Sequence, residues 1–230
     1  MPLPVTDTES ALMLGPTLSG RRRLFHLALS TMDGRAVVVS TRQPEPQVRQ
    51  THVSAVTGQA SDGGVTESTG SGAADFDPVD GGETRSDGGV KPVVVDCLSG
   101  VLEREVADTE MTKYADDPSN LTSIGTKFTE VLSERRDEAC VVGITDLTPL
   151  IVYRDPKQVF QFVHLIIQKS AGAGWPVVAT MDPAAHDDMT VNRLISLFDR
   201  VIETRLSEDG TQEFRVRGPS GPDWQPIQSV

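Results

Sequence analysis

The sequence predicts an α/β fold: a mainly parallel sheet with helices on both faces and an antiparallel hairpin at the C-terminal end. Three observations predict it. Five short apolar runs, at residues 11–14, 36–39, 92–97, 139–144 and 176–180, have the length of strands covered on both faces. Apolar residues at helical spacing fill most of the intervals between them. Two segments of alternating polarity, 201–206 and 212–217, flank the turn Ser207-Glu208-Asp209-Gly210 and form the hairpin.

The elements follow in order. Residues 1–10 are a polar, proline-containing lead-in. Ala11-Leu12-Met13-Leu14 is the first strand, residues 15–20 are a glycine-bounded loop, and a helix runs from about residue 20 to residue 31 on Leu24, Phe25, Leu27 and Ala28. Gly34 stops that helix, and the strand at 36–39 completes a β-α-β unit. From residue 43 to residue 90 the character changes: eight acids and two arginines give a charge of −6, with Phe76 the one aromatic residue. Such a segment buries too little apolar surface to offset the ~1–2 kcal/mol per residue that ordering a backbone costs. It reads as a disordered acidic insertion with one short helical piece near residues 47–56, interrupting a single domain of residues 1–230 with core parts at about 10–42 and 91–218.

The strand at 92–97 carries Asp96 near its end, and a polar loop runs from it to Pro118. Ser119-Asn120 caps a helix bearing Leu121, Ile124, Phe128, Val131 and Leu132. The strand at 139–144 leads to Thr145-Asp146. Asp155-Pro156 starts a helix with the stripe Val159, Phe160, Phe162, Val163, Ile166 and Ile167, which Gly172 and Gly174 end. Asp187-Asp188 leads the last helix, through Leu194, Ile195, Leu197 and Phe198.

Composition narrows the function. At 230 residues the chain can bury one sizeable core. A net charge of −12 excludes non-specific binding to nucleic acid or anionic membranes, because both need a basic patch. The acidic balance suits a cytoplasm of high salt, that of a halophile. No apolar stretch reaches the ~20 residues of a membrane span, and residues 1–10 lack a basic, apolar signal segment. A cytoplasmic protein is expected. Cys97 and Cys140 each lie inside an apolar run and read as buried free thiols; the four histidines show no ligand spacing, so no metal ligand is assigned.

Strand, glycine-bounded loop and helix form the setting of a phosphate-binding P-loop, and Gly15-x-x-x-x-Gly20 has its spacing. The candidate nucleotide-binding residues are Gly15, Pro16, Thr17, Leu18, Ser19, Gly20, Arg21 and Arg22. Arg21 and Arg22 stand where Lys and Ser/Thr are expected. A loop closed over its own helix N-terminus, or Arg22 in the metal position, would count against even passive binding. No catalytic residue is assigned. Ser19 lacks the flanking glycine pattern of a nucleophile elbow, and His186-Asp187-Asp188 reads as a helix cap.

The order of elements, with the phrases at 15–22, 120–125, 144–150, 198–203 and 215–218, resembles the RecA-superfamily P-loop domains. It is most similar to KaiC-like proteins, including the divergent RecA-like proteins of haloarchaea, over nearly the whole chain outside 43–90. The resemblance implies a RecA-like sandwich in which a lysine holds the β- and γ-phosphates and the next hydroxyl holds Mg²⁺. It also implies an aspartate on the fourth strand and a catalytic glutamate pair after the second. Here Arg21 offers a fork bulkier than an ammonium, Arg22 has no hydroxyl, and Leu18 fills a slot that is often glycine. Thr145 stands in the slot of the aspartate, and Asp146, one residue late, is expected on the other side of the strand. Asp96 matches the wording of that motif but lies on the third strand. Residues 40–43 offer no carboxylate before Glu45.

Phosphoryl transfer depends on metal, phosphate clamps and a positioned water, and all three are weakened. The expectation is a pseudo-ATPase with degenerate Walker motifs: a non-hydrolysing regulatory or signalling scaffold whose partner is another protein. The alternative is a weak ATP-binding protein or ATPase, with ATP and Mg²⁺ as ligands of the 15–22 loop. KaiC-like relatives form rings, so an oligomer agrees with the resemblance.

Overall fold

Valine-rich runs without a polar face are stable inside a sheet covered on both sides. The computed structural model describes residues 9–57, 91–102, 106–218 and 223–227, and places these runs in such a sheet. The strands are β1 (Ser10–Leu14), β2 (Arg35–Ser40), β3 (Val93–Asp96), β4 (Thr112–Tyr114), β5 (Cys140–Ile144), β6 (Val177–Met181), β7 (Arg200–Leu206), β8 (Gln212–Val216) and β9 (Gln225–Pro226). Their spatial order is β4-β3-β2-β5-β6-β1-β7-β8-β9. All pairings from β4 to β7 are parallel, while β8 and β9 add on antiparallel. The α/β class and the closing hairpin match the expectation.

The helices are α1 (Arg21–Thr31), α2 (Glu45–Thr57), α3 (Leu121–Glu134), α4 (Thr148–Tyr153), α5 (Pro156–Gly172) and α6 (Asp188–Ile195). Alternation along each strand divides the core into two layers. Ala11, Met13, Val38 and Val141 pack with Leu24, Phe25 and Ala28 of α1 and Val48 of α2. Leu12, Leu14, Val37 and Val142 pack with Ile124 and Phe128 of α3, Val163 and Ile166 of α5, and Leu194 of α6. Asn120 caps α3 by accepting from Ser123 N at 3.0 Å, and Asp187 caps α6 through Thr190 N at 2.9 Å. Cys97 and Cys140 are free and buried, and burial pushes both thiols above their ordinary range. No helix among the described residues is long and apolar enough to cross a membrane.

Three segments differ from the expectation. The helical piece expected near residues 47–56 of the insertion is present as α2, but it is an ordered part of the core and so carries the core past the expected boundary at residue 42. Val48, His52 and Ala55, at helical spacing, are buried, and Arg49 donates to Pro92 O at 2.8 Å and Met111 O at 3.0 Å. Residues 58–90, where the rest of that insertion falls, lie outside the described residues. The polar loop before Pro118 contains the short edge strand β4, whose outer side is blunted by Thr109 N bonding Thr112 O at 2.8 Å. Helix α4 occupies the interval between Asp146 and Asp155, for which the sequence pattern predicts no element.

Candidate functional site

β1 is flanked by two parallel strands, so its carboxyl end opens at the centre of one edge of the sheet, beside the ends of β6 and β5. Open parallel sheets take ligands along this edge. The chain leaves β1 at Gly15. A Cβ on Gly15 would stand 2.1 Å from Thr204 Oγ1 and 2.7 Å from the Thr204 carbonyl oxygen. Close approach of β7 therefore accounts for this glycine without any phosphate.

The rest of the loop turns inward on itself. Pro16 has no N–H, and the Ser19 N–H is directed at Pro16 O at 3.4 Å. Ser19 Oγ lies 2.8 Å from Pro16 O and 2.6 Å from Thr204 Oγ1. Gly20 caps α1 at φ 82°, in the left-handed region. Thr17 and Leu18 form the exposed tip.

Arg21 occupies the interior that the loop encloses. Its Nη1 donates to Gly15 O at 2.7 Å and its Nη2 to Asp146 Oδ2 at 3.2 Å. Burial lowers the Arg21 pKa, with the Asp146 and Asp182 carboxylates opposing that shift. Arg42, from the turn after β2, donates to the same Asp146 Oδ2 at 3.1 Å. Asp146 Oδ1 accepts from Thr148 N at 2.9 Å and so caps the start of α4. Thr145 Oγ1 accepts from Thr41 N at 3.0 Å. The space left between Arg21, Arg42, Thr145, Asp146 and Thr180 is about 30 Å³, enough for water but not for a polyphosphate.

The expected orientation of Asp146 is corrected. Strand β5 ends at Ile144 and Thr145 is already a bend, so the alternation of a pleat no longer governs the next side chain. Asp146, 2% exposed, meets Arg21 and lies on the loop side. Arg22 remains exposed, and it is Arg21 that fills the site. Asp96 takes no part. β3 stands four strand positions from β1, about 19 Å at ordinary strand spacing. Its carboxylate accepts from Glu45 N, Leu98 N, Ser99 N and Ser99 Oγ at 2.7–3.0 Å, and so fixes the first residue of α2. Glu45 pairs with Arg49 one turn along the same helix.

The chain matches the model of DUF7504, described as a family of unknown function, over residues 8–204. It belongs to that family. No curated protein matches it. Among solved structures it is similar to the uncharacterized protein PH0321 from Pyrococcus horikoshii, which was solved in complex with an unknown peptide. The two share 9% identity over 92% of this chain and 84% of that one, with a TM-score of 0.59. At that identity the likeness shows the fold alone.

In this DUF7504 chain, then, guanidinium groups surround one carboxylate. Both Asp146 oxygens are engaged by donors, the Thr145 hydroxyl is held by Thr41, and Arg22 carries no oxygen in its side chain. These donors do not fit Mg²⁺ with a nucleotide. Sequence reasoning finds carboxylates missing after β2 but passes over Arg42. The available signal is a charge of opposite sign in a position where acids are expected.

Proposed function

We propose that this DUF7504 chain is a non-hydrolysing scaffold of the RecA/KaiC-like kind, which acts in regulation or signalling by binding another protein. One observation carries the reading: the Arg21 guanidinium bridges Gly15 O and Asp146 across the space where a P-loop would hold phosphate. Admitting a phosphate requires withdrawing Arg21 from a buried pair, and leaving a buried charge without its partner costs about 3–5 kcal/mol. The hydroxyl and carboxylate oxygens that would bind a metal already have protein partners. The unknown peptide bound to PH0321 supports a protein segment as the kind of partner. The net charge of −12 supports a cytoplasm of high salt as the setting.

Calorimetric titration of the full chain with ATP and Mg²⁺, together with a phosphate-release assay, tests the reading. The expected result is neither Mg²⁺-dependent binding nor release. Tight Mg²⁺-dependent binding with phosphate release overturns the scaffold and establishes the ATPase alternative.

A further inference from the structure

The carboxyl edge in front of the loop reverses the charge of the molecule. The chain as a whole carries −12, yet Arg21, Arg22 and Arg42 gather here, where Arg21 and Arg42 contact Asp146 and Asp182 is the other carboxylate that acts on Arg21. Arg21 is buried and directed inward, which leaves the other two facing solvent. The Arg42 side chain is 47% exposed while it shares Asp146. Arg22 is exposed and forms no ion pair among the described residues. The loop tip presents Leu18, 75% exposed, whose carbonyl accepts from Gln212 Nε2 of β8 at 3.0 Å. Leu18 sits at φ 70°, the one non-glycine residue at positive φ among those described. Holding an L-residue there is unfavourable, and an exposed leucine recovers none of that cost by burial within the chain.

We propose that this edge is a docking surface for an acidic, apolar segment of a partner protein. Carboxylates of the segment take Arg22 and Arg42, and an apolar side chain of the segment packs on Leu18 at the loop tip. The inference rests on the scaffold reading, because a Mg²⁺-nucleotide would compete for the same guanidinium groups. Charge complementarity selects the occupant. A basic segment is repelled by the arginines, a nucleic acid needs a run of phosphate contacts that two exposed arginines do not supply, and a small anion has no use for Leu18. In such an interface the charges steer and select the partner, while the buried apolar anchor supplies most of the affinity.

The test uses the full chain and a short fluorescein-labelled peptide of glutamate and leucine, followed by anisotropy. A lysine–leucine peptide of the same length and inorganic phosphate serve as comparisons. The glutamate–leucine peptide binds and the lysine–leucine peptide does not. Leu18→Gly and Arg22→Glu each weaken binding about tenfold, a loss of about 1.4 kcal/mol. Leu18→Gly melts no lower than the natural chain, since glycine accepts the left-handed conformation, so its loss of binding is not a loss of fold. Failure of the acidic peptide to bind, or binding that ignores both variants, overturns the proposal. Displacement of the peptide by phosphate with Leu18→Gly unchanged assigns the arginines to a small anion and also overturns it. Phosphate release by the natural chain strikes the scaffold reading alone, because peptide binding is measured separately.

Discussion

Asp146 is the residue on which the site turns. It is 2% exposed and faces two guanidinium groups, one of them buried with it. Asp146→Ala leaves Arg21 inside the protein without its counter-charge, and the expected loss is about 3 kcal/mol. Urea denaturation measures this as a lower midpoint. Adding Arg21→Met to that variant removes the orphaned charge, so the double variant recovers much of the loss, and the coupling is read as a double-mutant cycle. If Asp146→Ala unfolds at the midpoint of the natural chain, the pair contributes nothing and the loop is not held shut by it. The same residue marks a limit of reading from sequence. Alternation along β5 is a property of the pleat, and it stops at Ile144, two residues before the side chain that mattered.

At the scale of elements, α1 and α2 meet through His26 and His52, whose Nδ1 atoms lie 3.2 Å apart with both rings buried. One nitrogen must donate and the other accept, so at least one ring must be neutral, and burial disfavours charging either of them. Burial first, then His52 and Arg22, press the His26 pKa down to about 3, and burial lowers that of His52. A folded-state pKa below the unfolded value of about 6.5 means that the folded chain binds fewer protons there. Stability is therefore full above about pH 6.5 and falls as pH drops toward 3, by up to about 1.4 kcal/mol per pH unit for His26, and the lowered His52 adds to the loss in the same direction. Urea midpoints measured from about pH 7 to about pH 5, above the titration of ordinary carboxylates, isolate this effect. A profile that is flat over that range in the natural chain, or one unchanged by His26→Leu with His52→Leu, removes the histidines as its cause.

A second contact between elements is set by Gly143 on β5, where an added Cβ would lie 2.6 Å from Phe25 Cζ and 2.7 Å from Leu29 Cδ1. Gly143→Ala should cost about 1–3 kcal/mol by overpacking, seen as a lower urea midpoint at unchanged slope. An alanine tolerated at no cost means that α1 can move off the sheet. Such contacts explain what was legible. The five apolar strands, α1, α3, α5 and the hairpin each carry a complete pattern of their own in the sequence. The helical piece read near residues 47–56 is α2, but its place in the core is hidden because the average composition of residues 43–90 is set by glycine, serine and acids, although Val48, His52 and Ala55 keep helical spacing within it. β4 is three residues long, too short for alternation to register. The loop spacing at Gly15 and Gly20 was legible, but its cause was not, since the Gly15 requirement comes from Thr204, 189 positions away along the chain.

For the whole molecule the governing quantity is net charge. Exposed ion pairs, such as Arg205 with Glu213 at 2.8 Å and Arg215 with Glu203 at 2.6 Å, each contribute only about 0–1 kcal/mol. Their partners touch, whereas the excess of negative charge acts between groups far apart. Raising the ionic strength from about 0.1 M to about 1 M shortens the screening length from about 10 Å to about 3 Å. That change removes long-range repulsion more completely than it weakens pairs in contact. The melting temperature should therefore rise with sodium chloride over this range, and this behaviour would suit a chain folded in high salt. Chloride is the appropriate anion, because sulfate also strengthens apolar burial and would raise stability whatever the charge. A melting temperature that falls with sodium chloride shows instead that the local pairs outweigh the repulsion. In that case the acidic surface serves solubility, and the basic edge at Arg22 and Arg42 stands against a background that adds little to its selectivity.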